Sequence, residues 1–132
     1  MKKVCVVTGS RADYGLLRCV MAGLRDSQYC VLQVIATGMH LASEFGYTWR
    51  HIEADGFAID WKVEMLVGAD TEVAVTKSVG LAMTGFADAF AVLRSLSVAA
   101  TLAVCTSDSY FTAAATWLTQ TRSQLGTPPR SQ

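Results

Sequence analysis

Two charged residues, Arg11 and Asp13, stand between the glycines of VVTGSRADYG, residues 6 to 15, directly after a run of β-branched side chains. Where a strand turns through glycine into a helix, the helix start presents unpaired N–H groups and a partial positive charge, which suits phosphate. In that reading Gly9 lets the backbone turn, Ser10 opens the helix and Arg11 adds a fork of donors that matches phosphate oxygens two at a time. A second reading uses the same letters: Ser10 and Asp13 have the S-x-x-D spacing of a capping box, with Arg11 solvated. The local pattern leaves both open. The G-x-x-x-x-G-K loop of ATPases is absent and Gly9-x5-Gly15 misses the G-x-G-x-x-G dinucleotide spacing, so ATPase and NAD chemistry both lose support.

Two further segments carry chemistry-bearing side chains. TGMHLASEFGYTWRHIEADGF (37–57) holds His40, which follows directly on a strand-like run, either lining a pocket beside Arg11 or satisfied by backbone at a helix start. Trp49 and His51 of this segment are expected to pack within a helix. TSDSY (106–110) holds Asp108, an acid, base or ribose ligand in one reading and a helix N-cap in the other. No serine has the G-x-S-x-G setting of a nucleophile elbow. Cys5, Cys19, Cys30 and Cys105 form no C-x-x-C pair and are expected to fill core, and His40 and His51 lack metal-ligand spacing, so we expect no metal.

The elements that must position these residues follow a regular alternation. KVCVVTG (3–9) reads as a strand, 14–27 as a helix with Leu16, Leu17, Val20, Met21 and Leu24 at helical spacing, and CVLQVIATG (30–38) as a strand. A helix is expected over 42–55, a turn at Asp55-Gly56, and a strand over 57–66. In that strand Phe57, Ile59, Trp61, Val63 and Met65 alternate with Ala58, Asp60, Lys62 and Glu64, the mark of one buried face at a sheet edge. A long helix follows from Thr71 to about Leu96, with Val79, Met83, Phe86, Phe90 and Leu93 as its apolar stripe, which predicts a buried or partnered helix. A fourth strand is expected over 100–108 and a fourth helix over 110–123, before a tail at 124–132 expected to be disordered. The fold class is therefore α/β: a parallel sheet of about four strands, order 3-2-1-4, with helices on both faces. Ligands in such sheets bind beyond the carboxyl ends of the strands where the order reverses, which would set the loops at 9–13 and 106–110 face to face.

Length and composition fit one globular unit of 132 residues with 52% hydrophobic side chains. Eleven basic and eleven acidic residues cancel, so no overall field favours nucleic acid or an anionic membrane. The first apolar run is too short for a signal peptide and none is long enough to span a bilayer, so a cytoplasmic protein is expected.

TGSRADYGLLR, then VIATGMHLASEFGYTWRHIEADGFAID, then KSVGLAMTGFADAF, in that order over about residues 3 to 95, resemble the amino-terminal part of the hydrolysing UDP-N-acetylglucosamine 2-epimerases. The resemblance implies a GT-B-type fold of two Rossmann-like halves with the substrate between them. It implies elimination of UDP from UDP-N-acetylglucosamine across C1 and C2, then addition of water to give N-acetylmannosamine for sialic acid or related sugars, with no redox cofactor. Arg11 then corresponds to a nucleotide-contacting arginine, with Gly9 and Ser10 beside it, and His40 to a cleft-lining histidine of the T-G-M-H segment.

The chain departs from the family after its fourth strand. Where the family has G-D-R followed by an aromatic residue and an acid, this sequence has Ser107-Asp108-Ser109-Tyr110-Phe111, so only Asp108 and Tyr110 fit. Ser109 removes a charge from the phosphate side and Ser107 restricts the turn. The H-I-H-G-G-E-type segment and the carboxyl-terminal domain that should follow are missing. The expectation is a partial Rossmann-like domain over 1–123, inactive alone, with Asp108 the one catalytic candidate. The alternative is a non-catalytic module that binds UDP or a UDP-sugar, or pairs with itself or a partner subunit through the 71–96 helix.

Overall fold

The structure, a computed structural model, describes residues 2–93 and 101–102. Strand β1 (Lys2–Thr8) leads into helix α1 (Arg11–Arg25), and β2 (Cys30–Thr37) then pairs parallel to β1 with Lys2 opposite Cys30 and Thr8 opposite Ala36. Helix α2 (Trp49–Ala54), strand β3 (Trp61–Val63) and helix α3 (Glu72–Leu93) follow. The short β3 runs parallel to β2 on the side away from β1, with Ile35 opposite Trp61. Thr101–Leu102 (β4) lie parallel to β1 opposite Cys5 and Val6. The rest of the strand expected over 100–108, the helix over 110–123 and the tail lie outside the described residues.

Each face of the sheet has its own core. Val6, Val34 and Ala36 meet Tyr14, Leu17 and Met21 of α1, Ile52 of α2 and Phe57 on one side. Cys5, Ile35, Val63 and Met65 meet Ala82, Phe86 and Ala89 of α3 on the other. The alternation of burial along β1 and β2 thus feeds two helical layers, the arrangement a Rossmann-like α/β unit requires. Cys5 is sealed in the second core; burial, and secondarily the charge of Asp60, push its thiol up to about 12, so it stays protonated and inert.

Several expectations are corrected. Tyr14, Leu17 and Met21 are the buried face of α1, whereas Leu16 and Val20 point outward, and Cys19 is exposed rather than core. Cys30 is half-buried at the sheet margin and Cys105 lies outside the described residues. The helix expected over 42–55 is broken into short 3-10 turns at Gly38–Leu41 and Ser43–Phe45 and the six-residue α2. The break sits where Gly46 (φ 77°) and Tyr47 (φ 50°) enter the left-handed region, which no right-handed helix continues through. His51, expected to pack, is exposed on α2, while Trp49 is half-buried against the first core.

The strand expected over 57–66 shortens to three residues because side chains take over its hydrogen bonds. Asp60 Oδ2 accepts from Val34 N–H at 2.7 Å, and the Thr37 hydroxyl donates to the Val63 carbonyl at 2.7 Å. Period-two burial nonetheless persists, with Phe57, Val63 and Met65 buried and Ala58, Asp60, Lys62 and Glu64 exposed.

Helix α3 is seated on a line of mostly small residues, Ala74, Ser78, Ala82, Phe86 and Ala89, rather than on the expected stripe. Val79, Met83, Phe90 and Leu93 flank that line half-buried, because small side chains let the helix lie close to the sheet. Its last carbonyl, that of Leu93, accepts from Lys3 Nζ at 3.3 Å and Gln33 Nε2 at 3.1 Å. The closeness makes a paired prediction. A Cβ on Gly85 would fall 2.6 Å from Cγ1 of the buried, stiff Val63, whereas one on Gly80 meets nothing within 4 Å. Gly85→Ala should lose about 1–3 kcal/mol through overpacking, and Gly80→Ala should gain up to about 1 kcal/mol. Urea midpoints of the two variants check the sign of each.

Candidate functional site

The site candidates gather at the carboxyl ends of β1 and β2. Thr8 closes β1, Gly9 is buried, and Ser10 is the N-cap of α1 in extended conformation. The Ser10 hydroxyl accepts from Asp13 N–H at 3.3 Å and donates to Asp13 Oδ2 at 2.9 Å. Asp13, nearly fully buried in the first turn, thus belongs to the cap, and its charge complements the positive end of the helix. The capping-box reading of the loop holds: Ser10 and Asp13 build the cap, and Arg11 stands outside it. Arg11, the first residue of α1, is exposed, and its guanidinium has no hydrogen bond or ion pair among the described residues.

Gly9 turns without a positive φ; among the described residues the left-handed glycines are Gly38, Gly46 and Gly56. What holds Gly9 is its carbonyl, which accepts from Met39 N–H at 2.9 Å. The loop after β1 is therefore stitched to the loop after β2.

His40 lies in that second loop and is fully buried. Its Nε2 is 2.9 Å from Thr8 Oγ1 and its Nδ1 is 2.8 Å from Thr48 Oγ1. The ring stands edge-on to Tyr14, with centroids 6.4 Å apart. Burial lowers its pKa to about 4 despite opposing contributions from the Asp13 charge and the Ser10 carbonyl, so the imidazole is neutral at pH 7. The sequence placed His40 beside Arg11 on one edge of the sheet; the structure adds that it is enclosed, with a threonine hydroxyl at hydrogen-bond distance from each ring nitrogen and the Ser10 carbonyl close by. Nothing in the local sequence signals this, since the partners come from positions 8 and 48.

Tyr14 and Arg18 extend the polar set on α1. The Tyr14 hydroxyl donates to Asp55 Oδ2 at 2.6 Å, and Arg18 Nε lies 3.2 Å from the same oxygen. Burial first, and then Asp55, push the Tyr14 hydroxyl above its usual range, so it remains a donor that fastens α1 to the end of α2. Beyond Thr48, Arg50 stacks on Tyr47 and Trp49 and Lys62 Nζ sits 3.5 Å from the centre of the Trp49 ring, so the indole has cationic neighbours. Asp108, the catalytic candidate, lies outside the described residues. The described residues thus set a capped helix start, an outward arginine and a buried histidine at the carboxyl ends of β1 and β2.

No protein-family model matches the chain. Curated relatives do. It is 39% identical over 93 residues to the GDP/UDP-N,N'-diacetylbacillosamine 2-epimerase (hydrolyzing) of Campylobacter jejuni, covering 70% of this chain and 24% of that protein. It is 36% identical over 90 residues to the UDP-N,N'-diacetylbacillosamine 2-epimerase (hydrolyzing) of Legionella pneumophila, covering 68% of this chain and 24% of the relative. The polysialic acid biosynthesis protein P7 of Escherichia coli is 34% identical over 90 residues, 68% of this chain and 23% of its own length. The chain therefore spans about a quarter of the length of the curated relatives it matches. Over these residues the chain resembles the amino-terminal part of the hydrolysing UDP-sugar 2-epimerases.

Proposed function

We propose that this chain is a nucleotide-holding part of a hydrolysing UDP-sugar 2-epimerase acting in the cytoplasm, with the diphosphate of the sugar nucleotide seated at the start of α1. The observation that carries this is Arg11, exposed and unpaired among the described residues on the first turn of a helix whose cap is already complete. A guanidinium free of internal partners can offer paired donors to phosphate oxygens, and the neighbouring helix start adds N–H groups and partial positive charge. Gly9 and Ser10 contribute backbone there, while Asp13 keeps the turn in shape. The names of the relatives supply the substrate class, a nucleoside-diphosphate sugar epimerised at C2 with hydrolysis.

The reaction eliminates UDP across C1 and C2 of the sugar and adds water to the resulting glycal. It needs positive charge on the leaving diphosphate and a group that moves protons at the sugar. Arg11 serves the first need, and Asp108, in the one part of the family's G-D-R segment that this chain keeps, serves the second. Serine in place of that segment's arginine leaves less charge on the phosphate, so this reading takes residues 1–123 as a partial domain with weak or no turnover alone. No redox cofactor enters the scheme.

Amide shifts on titration with UDP test the placement. Changes concentrated at Ser10–Asp13 and Met39 are expected; shifts confined to other surfaces would overturn it. A second reading, a module that pairs with another subunit through α3, draws on Val73, Leu81 and Val92, which are exposed on that helix. Concentration-dependent mass by light scattering decides that one.

A further inference from the structure

We propose that His40 is a positioning residue, a hydrogen-bonded strut that holds the start of α1 against the 38–48 segment so that Arg11 and the turn's N–H groups converge on one point. The inference rests on reading that helix start as a phosphate site, and adds how the site keeps its shape. Full burial keeps His40 itself from touching a ligand. What it touches is the frame of the site.

Three segments meet on the one ring. Thr8 Oγ1, at the end of β1, lies 2.9 Å from Nε2, and Thr48 Oγ1, at the start of α2, lies 2.8 Å from Nδ1. The Thr8 hydroxyl also points at the Ser10 carbonyl, 3.5 Å away, the same carbonyl that accepts the helical bond from Tyr14 N–H at 3.0 Å. One set of roles that satisfies these contacts has Thr8 donating to Ser10, His40 Nε2–H donating to Thr8 and Thr48 donating to Nδ1; the other tautomer reverses both His40 contacts. The N-cap of α1 is thereby tied through a rigid ring to the start of α2. A backbone tie runs alongside it, from Met39 N–H to the Gly9 carbonyl at 2.9 Å.

Thr48 supplies the second arm. It precedes α2 with helical backbone angles, φ −65° and ψ −9°, from which its hydroxyl makes no cap bond to its own helix. Its hydroxyl goes to His40 instead. Neutral imidazole suits the strut because it presents a donor and an acceptor at opposite sides of a planar ring. Asp13, His51 and the edge of Tyr14 are the other titratable groups that face it.

The test uses Thr48→Val, which keeps the shape of the side chain and removes the partner of Nδ1, and Thr48→Ser, which restores a hydroxyl. UDP affinity by calorimetry and amide exchange at Met39, compared with Val34, whose N–H is held by Asp60 Oδ2, are read on the same samples. Thr48→Val should weaken UDP about tenfold, the effect of one buried hydrogen bond, and speed exchange at Met39 but not Val34, with Thr48→Ser returning both towards the original. Unchanged affinity, or exchange that rises equally at Met39 and Val34, would overturn the positioning role. If the unmodified chain binds no UDP, the phosphate reading has failed. Exchange alone then judges the strut, which stands only if Met39 responds selectively.

Discussion

Between pH 6.5 and pH 4 the chain should lose on the order of 3 kcal/mol of stability through His40 alone. Burial holds the folded imidazole at about 4, against an ordinary value of 6.5. In that window the unfolded chain binds a proton that the folded chain refuses, so stability falls as pH falls. The contribution is fully present above the ordinary value, and its slope ends at the folded one. Each tenfold difference in proton affinity corresponds to about 1.4 kcal/mol, which sets the size of the effect. Urea unfolding at pH 7 and at pH 4.5 should show it as a lower midpoint in acid. His40→Gln keeps a donor and an acceptor without titrating near neutrality. It should flatten the pH dependence across this window even though it lowers stability at pH 7. Equal slopes for the original chain and this variant would contradict the assignment.

The acid response and the ligand site meet in the same loop, since the ring that titrates is the one bonded to Thr8 and Thr48. Protonation of His40 and loss of the α1 start's alignment are expected to go together, so UDP affinity should decline before global unfolding as the solution is acidified.

How much of this was legible in the sequence differs from element to element. The βαβ unit was, because β-branched runs at 3–9 and 30–38 enclose a helical period and neither depends on distant partners. The cap was equally readable, since Ser10 and Asp13 act within one turn. The helix expected over 42–55 failed because periodicity does not register a backbone that turns left-handed at a non-glycine, as at Tyr47. The strand over 57–66 kept its burial pattern but lost its ladder to the side chains of Asp60 and Thr37. The stripe assigned to α3 was displaced by about one residue because hydropathy weights large side chains, while the contact is made by alanine, serine and one phenylalanine. His40 was identified but its surroundings were not, for its partners are separated from it by 32 and 8 positions.

The second large effect concerns Arg11. Removing a charge-assisted contact to phosphate ordinarily costs about 1.5–3 kcal/mol, so Arg11→Ala should weaken UDP by about 10- to 100-fold. The fold should hardly notice, because the guanidinium makes no bond within the described residues. Arg11→Lys keeps the charge without the planar fork and should recover only part of the affinity. Raising the salt concentration should weaken binding in the original chain more than in Arg11→Ala, as expected for an exposed charge pair.

The most direct test of the account is a calorimetric titration of the chain with UDP, run in parallel on Arg11→Ala. Measurable binding by the original chain that falls at least tenfold in the variant, at unchanged thermal stability, is the predicted result. Binding that survives intact in Arg11→Ala, or no binding by the original chain at any practical concentration, would contradict the claim that the start of α1 holds the nucleotide.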